Sequence, residues 1–332
     1  MKVLFIGGTG VISSACSDLA LERGIDLYHL NRGRSGRSAP EGVKQIIGDI
    51  RDLDAVKAAI GDQTFDVVVD WIAFGPDHIE IDLALFRGRV GQYIFISSAS
   101  AYQTPPANLP IVESTPLYNP YWGYSQAKIA CEERLMRAYR EDGFPITIVR
   151  PSHTYDKTKV PLIGRYTTLD RMMRGEKVIL HGDGTSLWTL THHKDFAKGF
   201  VGLLGNPHAI GEAFHITSDE VLTWNQIYET LGAAAGQKPD IVHIPTSVIN
   251  AYDPEVGVTL IGDKANNMVL DNSKIKRVVP DFAATTPFYA GAKEIVEWYA
   301  ADPARQEIEQ SWNELFERLL NGHARMLLGS GQ

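Results

Sequence analysis

An apolar segment that runs straight into a glycine-rich turn, and from there into a helix, limits what this chain can fold into more than any other feature. Lys2–Ile6 reads as a strand buried on both faces, Gly7-Gly8-Thr9-Gly10-Val11-Ile12-Ser13 follows it, and Ser13–Glu22 has helical periodicity. The same beat continues. Ile25–Leu30, Val43–Ile47, Phe65–Trp71, Tyr93–Ser97 and Ile146–Arg150 follow as strand candidates, and most are short and apolar without alternation, as strands covered on both faces are. Between them lie amphipathic stretches, Leu53–Ile60, His78–Arg87 and Tyr124–Arg140, with Gly61 and Gly143 placed as stop signals after the first and last. Strands alternating with helices require crossover connections, so the predicted fold class is α/β, a doubly wound parallel sheet with helices on both faces.

After Pro151 the rhythm changes. Gly182-Asp183-Gly184 reads as a hairpin-like turn, and helix candidates at His193–Leu204, Trp224–Leu231, Tyr289–Tyr299 and Glu307–Leu320 come at irregular intervals. The expected organisation is a first domain over 1–152, joined by roughly 188–216, and a smaller C-terminal α/β domain from 153–187 and 217–332. Gln103–Pro120 carries five prolines and is expected to form an ordered loop over a site.

The 332 residues carry 40 acidic and 32 basic side chains, a formal net charge of -8, which disfavours association with a phosphate backbone. Arg32, Arg34 and Arg37 do cluster, but three arginines suit a single phosphate. Two cysteines, Cys16 and Cys131, fall in helical stretches and read as buried thiols. His192 and His193 are adjacent with no third ligand in pattern, so no metal site is expected. The early glycines interrupt the N-terminal apolar run and no stretch reaches membrane-spanning length, so a cytoplasmic location is expected.

The glycine turn has its own chemistry. Glycines at a strand-to-helix junction let the backbone approach a pyrophosphate, which then sits on the positive helix N-terminus. Ser13 stands where the third glycine is usual; a small side chain still permits close packing. The second strand ends in Asn31-Arg32. A carboxylate there binds ribose hydroxyls and favours NAD, whereas a guanidinium can meet a 2′-phosphate, so the cofactor reading is NAD(P) with NADP favoured. Asp49 fits either an adenine contact or a helix cap near Asp52.

Tyr124 and Lys128 lie four residues apart at a helix start, on one face. A free tyrosine titrates near 10, and a neighbouring ammonium is expected to lower that value, so the phenol can exchange a proton with a substrate hydroxyl or carbonyl. Ser98, at the carboxyl end of a buried strand and 26 residues before Tyr124, is placed to hydrogen-bond the reacting oxygen.

In order, Gly7-Gly8-Thr9-Gly10, Asp49, Ala73, Ser97-Ser98-Ala99-Ser100-Ala101-Tyr102, Tyr124 with Lys128, and Arg150-Pro151 resemble an extended short-chain dehydrogenase/reductase of the NAD-dependent epimerase/dehydratase family. Gly182-Asp183-Gly184 and His193-Lys194-Asp195-Phe196-Ala197 match more loosely. The resemblance implies a Rossmann-type domain, a C-terminal substrate domain, and a small-molecule substrate, mostly a nucleotide-linked sugar, in the cleft between them. It implies a homodimer built on the Tyr124 helix. Cofactor contacts are expected from Gly7, Thr9, Gly10, Val11, Ile12, Asn31, Arg32, Asp49, Ile50, Ala73, Lys128 and Pro151, and substrate contacts from Ser100, His153, Arg165 and Trp188. Lys157 and Lys159 are further candidates for a substrate phosphate. Ala99 and Ser100 replace the Asp-Glu pair of the family's 4,6-dehydratases, and Ser152-His153 replaces the usual Asn after Arg-Pro. These departures mark an atypical branch. The resemblance leaves epimerase and dehydrogenase/reductase open, and a catalytically silent RNA-binding or regulatory protein on the same fold is the rival.

Overall fold

A computed structural model describes residues 1–34 and 36–329. The first half alternates as the apolar pattern dictates: β1 (Lys2–Ile6), α1 (Val11–Glu22), β2 (Asp26–Asn31), β3 (Lys44–Ile47), α2 (Leu53–Ile60), β4 (Phe65–Asp70), α3 (Pro76–Phe86), β5 (Val90–Ile96), α4 (Gly123–Asp142) and β6 (Ile146–Pro151). The chain continues through β7 (His153–Tyr155), α5 (Arg165–Met173), β8 (Lys177–His181), β9 (Leu187–Trp188), β10 (Leu190–His192), α6 (His193–Val201) and β11 (Ala213–Ile216). Then come β12 (Leu222–Thr223), α7 (Trp224–Ala234), β13 (Asp240–Ile244), α8 (Thr246–Tyr252), α9 (Pro254–Thr259), a π-helical turn at Leu260–Lys264, α10 (Ser273–Val278), α11 (Phe288–Ala300) and α12 (Gln310–Gly329).

Among the described residues, seven strands form one sheet in the order β11-β6-β5-β4-β1-β2-β3, every pair parallel. This is a Rossmann-type sheet. Strand order reverses direction between β1 and β4, and ligands of such sheets sit in the crevice at that point. Both faces are covered: Phe5, Val69, Phe196, Phe200 and Phe214 pack on one side, and Leu4, Val68, Phe95, Leu135 and Ile146 on the other. The four-residue β11 extends the sheet beyond the six strands read from the sequence. It is too short to show a pattern of its own, and its pairing to β6 defines it.

Two further clusters hold the remainder, one around Tyr155, Trp188, Trp224 and Phe288, the other joining Ile179, Ile244 and Phe316. Here one expectation is corrected. Gly182-Asp183-Gly184 is a turn but does not make a hairpin, because β8 pairs in parallel with β13 while β9 pairs with β12. The register of β8 is set by its neighbour in space. Asp52, by accepting from the Ala55 amide at 3.1 Å, is the cap of α2, so Asp49 is left for another role. Cys16 and Cys131 are buried free thiols.

Beneath the cleft, Arg150 of β6 grips Glu132 of α4 at 2.6 and 3.0 Å and donates to the Glu113 carbonyl at 3.1 Å, all with both charged side chains nearly fully buried. Removing one partner of a buried pair strands the other charge. Arg150→Leu is therefore expected to cost about 3–5 kcal/mol, read as a lowered urea midpoint; an unchanged midpoint contradicts this.

Candidate active site

The glycine turn meets the carboxyl ends of β1, β2, β4 and β5 as the sheet topology requires. Gly7 has φ +83°, and a Cβ there would lie 2.5 Å from Ile72 Cγ2; at Gly8 it would lie 2.4 Å from the His29 ring. Both positions need glycine for space. Ser13 does more than fill the third place: its Oγ accepts from the Gly10 amide at 2.7 Å and donates to the Gly7 carbonyl at 3.1 Å, stapling the turn.

Two cavities flank this turn. The outer one, about 580 Å³, is lined by Gly7, Thr9, Gly10, Asn31, Arg32, Arg34, Arg37, Asp49 and Ile50. Arg32 is exposed, its Nη1 3.8 Å from the Asp49 carboxylate, and Asp49 also accepts from the Arg51 amide at 3.0 Å. Arg37 reaches across to Asp156 at 2.7 Å. The glycine cradle, the helix N-terminus and a guanidinium-rich rim fit the pyrophosphate and ribose end of a dinucleotide. Val11 begins α1, and the ring of His193 hydrogen-bonds its backbone.

The inner cavity, about 340 Å³, brings together Ile12, Ser98, Ser100, Tyr124, Lys128, Pro151, His153 and Trp188. Ser98 lies close enough to the Tyr124 phenol to act on its proton. Ser98, Ser100 and Ser125 form a hydroxyl chain at 2.9 and 2.8 Å, and Ser98 also accepts from the Ser100 amide at 3.2 Å, capping the turn after β5. Lys128 is buried; its Nζ donates to the carbonyls of Ala73 at 2.6 Å and Ile96 at 2.8 Å, and lies 4.8 Å from the ring centres of both Phe74 and Phe95. Burial pushes this ammonium down to about 8, with Asp70 opposing.

The expected electrostatic effect of Lys128 on Tyr124 is corrected. Burial raises the phenol, Ser98 lowers it, and Asp263 raises it again. The ammonium is directed at two backbone carbonyls, 5.8 Å from the tyrosine ring centre, so helix spacing alone did not deliver its charge to the phenol.

His153 accepts a hydrogen bond from Trp188 Nε1 at Nδ1, 3.2 Å, which leaves its ring proton on Nε2. Burial, then Lys159 and Lys264, hold this imidazole well below its usual range, hence neutral. Arg165 is not brought to Tyr124: it is exposed, 3.9 Å from Glu309, and lines an adjoining cavity of about 720 Å³ together with Lys159, Lys264 and Trp122. Lys157 is exposed. Asp263, Lys264, Phe74 and Trp122 line the inner cavity and were not legible in the sequence. Asp263 and Lys264 come from the π-helical turn. Asn119 fixes that turn by donating to the Gly262 carbonyl at 2.6 Å, and Trp224, His181 and Ser186 all bond the Lys264 carbonyl.

A glycine crevice at the reversal point of a parallel sheet, opening onto a buried Tyr-Ser-Lys cavity, defines a dinucleotide-binding protein of the Rossmann type. Residues 3–217 match the model of the NAD dependent epimerase/dehydratase family, and the chain belongs to that family. It is 25% identical over 249 residues to 2'-dehydrokanamycin reductase of Streptomyces kanamyceticus, covering 74% of this chain and 70% of the relative. It is 27% identical over 256 residues to chloroplast stem-loop binding protein of 41 kDa b of Arabidopsis thaliana, covering 73% of this chain and 65% of the relative. Among solved structures, UDP-glucose 4-epimerase of Thermotoga maritima with UDP-glucose superposes with a TM-score of 0.74 at 21% identity, over 91% of this chain and 99% of the other. The NAD complex of dTDP-glucose 4,6-dehydratase from Bacillus anthracis gives 0.73 at 18%, over 92% and 98%. These likenesses show a shared fold. No helix among the described residues is long and apolar enough to cross a membrane.

Gly8→Ala tests the cradle. The added methyl group must displace the His29 ring, and overpacking of about 1–3 kcal/mol is expected to weaken NADPH binding roughly tenfold or more in a fluorescence titration. Unchanged affinity contradicts a cofactor laid on this turn.

Proposed function

We propose that the chain catalyses reversible hydride transfer at a secondary alcohol or ketone of a sugar or nucleotide-linked sugar, with Tyr124 as the proton-transfer group. One observation carries this: Tyr124, Ser98 and Lys128 share a cavity that adjoins the glycine crevice. Gly7, Thr9, Gly10, Val11, Asn31, Arg32, Asp49 and Ile50 would hold the adenosine and pyrophosphate of NAD(P), and Ile12, Ala73, Lys128 and Pro151 its nicotinamide end. The nicotinamide supplies or accepts the hydride when bound. Arg32, with no carboxylate beside it on β2, supports NADP over NAD.

The chain's own residues do the remaining work. A phenol raised by burial is protonated at neutral pH, which suits the reducing direction, where it donates to the oxygen of a carbonyl becoming an alcohol. Ser98 donates to the same oxygen and steadies its growing charge. Lys128, still mostly charged at neutral pH, holds the cofactor ribose. His153, Ser100 and Trp188 face the substrate, and Lys159 with Lys264 suits an anionic group such as a phosphate. The cleft between 1–152 with 188–216 and the remaining C-terminal portion is the proposed substrate site, and a homodimer through α4 is the proposed assembly.

Tyr124→Phe is expected to lower turnover about 10²- to 10⁴-fold while NADPH affinity stays within twofold. NADPH consumption with keto-sugars, including 2'-dehydrokanamycin, and epimer formation from UDP-hexoses are the assays. Full activity in Tyr124→Phe refutes the role. Arg32→Ala is expected to weaken NADPH roughly tenfold, about 1.4 kcal/mol, and NADH little; equal effects remove the NADP preference.

A second reading draws on the stem-loop binding relative: the same fold serving RNA. The net charge of -8 opposes it. Salt-sensitive retention of a stem-loop RNA on a filter, unaffected by Tyr124→Phe, is the result that favours it.

A further inference from the structure

β4 ends on a carboxylate with no exposed surface, Asp70. Its Oδ1 accepts from the amides of Ile72 at 2.5 Å and Ala73 at 2.8 Å. These amides open the turn whose Ala73 carbonyl takes the Lys128 ammonium at 2.6 Å. Arg51 braces the same turn by donating to the Ile72 carbonyl at 2.6 Å. One aspartate thus fixes the backbone that receives Lys128 and lies close enough to act on its charge.

Behind it stands a second fully buried carboxyl, Asp82 of α3, whose Oδ2 accepts from the Tyr93 hydroxyl at 2.5 Å. Asp70 Oδ2 and Asp82 Oδ1 are buried with no hydrogen-bond partner among the described residues, and Asp70 is the charged neighbour that acts most on Asp82. Like charges side by side in a dry interior disfavour each other. Burial, reinforced by Asp70, pushes Asp82 well above the carboxylate range, so Asp82 keeps its proton at neutral pH and can donate to its neighbour.

We propose that Asp70 is a positioning residue of the site: it aims the Ala73 carbonyl at Lys128 and sets a buried carboxylate close to that ammonium. This deepens the reading of Lys128 as the cofactor-ribose contact and rests on it. The groups around Lys128 are Asp70 on β4, with Asp82 behind it and Arg51 beside it, and Tyr124, Cys131 and Glu132 on its own helix. Arg150 of β6 already pairs with Glu132, and Asp263 faces Tyr124 from the π-helical turn. Asp70 is the largest of the charges opposing the effect of burial on Lys128. The sign follows. An ammonium brought down to about 8 by burial loses its proton as pH rises through that value, and without Asp70 it loses it at lower pH.

The test is NADPH affinity of the full chain against pH, read by quenching of tryptophan fluorescence, since Trp71 and Trp122 line the cavity. Wild type is expected to lose affinity with a midpoint near 8. Asp70→Asn should lower that midpoint by roughly one to three pH units while binding NADPH normally on the acid side. Asp82→Asn, whose amide can donate to Asp70, should leave it in place. An unmoved midpoint in Asp70→Asn, or Asp82→Asn moving it as far as Asp70→Asn does, overturns the inference. Should Asp70→Asn fail to fold, Asp82→Leu removes the neighbouring carboxyl that can donate to Asp70, and a lowered midpoint supports the inference while an unmoved one overturns it. Lys128→Met should show no midpoint. If it keeps the wild-type profile, the reading of Lys128 itself falls, a different failure from an inert Asp70.

Discussion

A buried ammonium caught between two strand ends organises the site. Lys128 projects from the second turn of α4 and ties the carbonyl after β4 to the last residue of β5, at 2.6 and 2.8 Å. Burying a lysine is costly unless its donors are met. Here they meet backbone oxygens, and the rings of Phe74 and Phe95 add a favourable electrostatic surface. The helix start, and with it Tyr124, is thereby located against the sheet edge where the glycine turn opens.

From this anchor the cavity is assembled by parts that have little to do with one another in sequence. Ser98 and Ser100 come from the end of β5, Tyr124 from α4, His153 and Trp188 from the short strands beyond β6, and Asp263 with Lys264 from a π-helical turn much later in the chain. Such turns break the regular helix ladder and occur at functional sites because they re-aim side chains. Three donors on the Lys264 carbonyl hold this one still. Three lysines and one aspartate line the inner cavity.

What the sequence disclosed, and what it hid, follows from the range of the interactions. β1, β4 and β6 were readable because strands covered on both faces are mostly apolar, and the nearness of Tyr124, Lys128 and Ser98 because helix spacing and strand ends are local geometry. The direction of Lys128 was not local. Four-residue spacing promised its charge to Tyr124, but the carbonyls of Ala73 and Ile96, fixed by the sheet, claimed it. Arg165, in a left-handed turn at φ 49°, stands beside Glu309 and lines the adjoining cavity rather than the one that holds Tyr124, a placement no local pattern gives away. Asp70 passed as one more strand residue, since nothing in Phe65–Trp71 announces that its side chain turns back to two amides. Asp263 lies in a stretch without motif or period, and tertiary packing alone brings it to the cleft.

The central claim is that a dinucleotide lies with its nicotinamide end between Lys128 and Tyr124, where proton and hydride can move together. A crystal structure of the protein with NADP+ tests it most directly. The ribose next to the nicotinamide is expected within hydrogen-bonding distance of Lys128 Nζ, with the ring facing the Tyr124 hydroxyl. A dinucleotide bound with its nicotinamide outside the inner cavity, or Lys128 still bonded only to Ala73 and Ile96 with no contact to the cofactor, contradicts it.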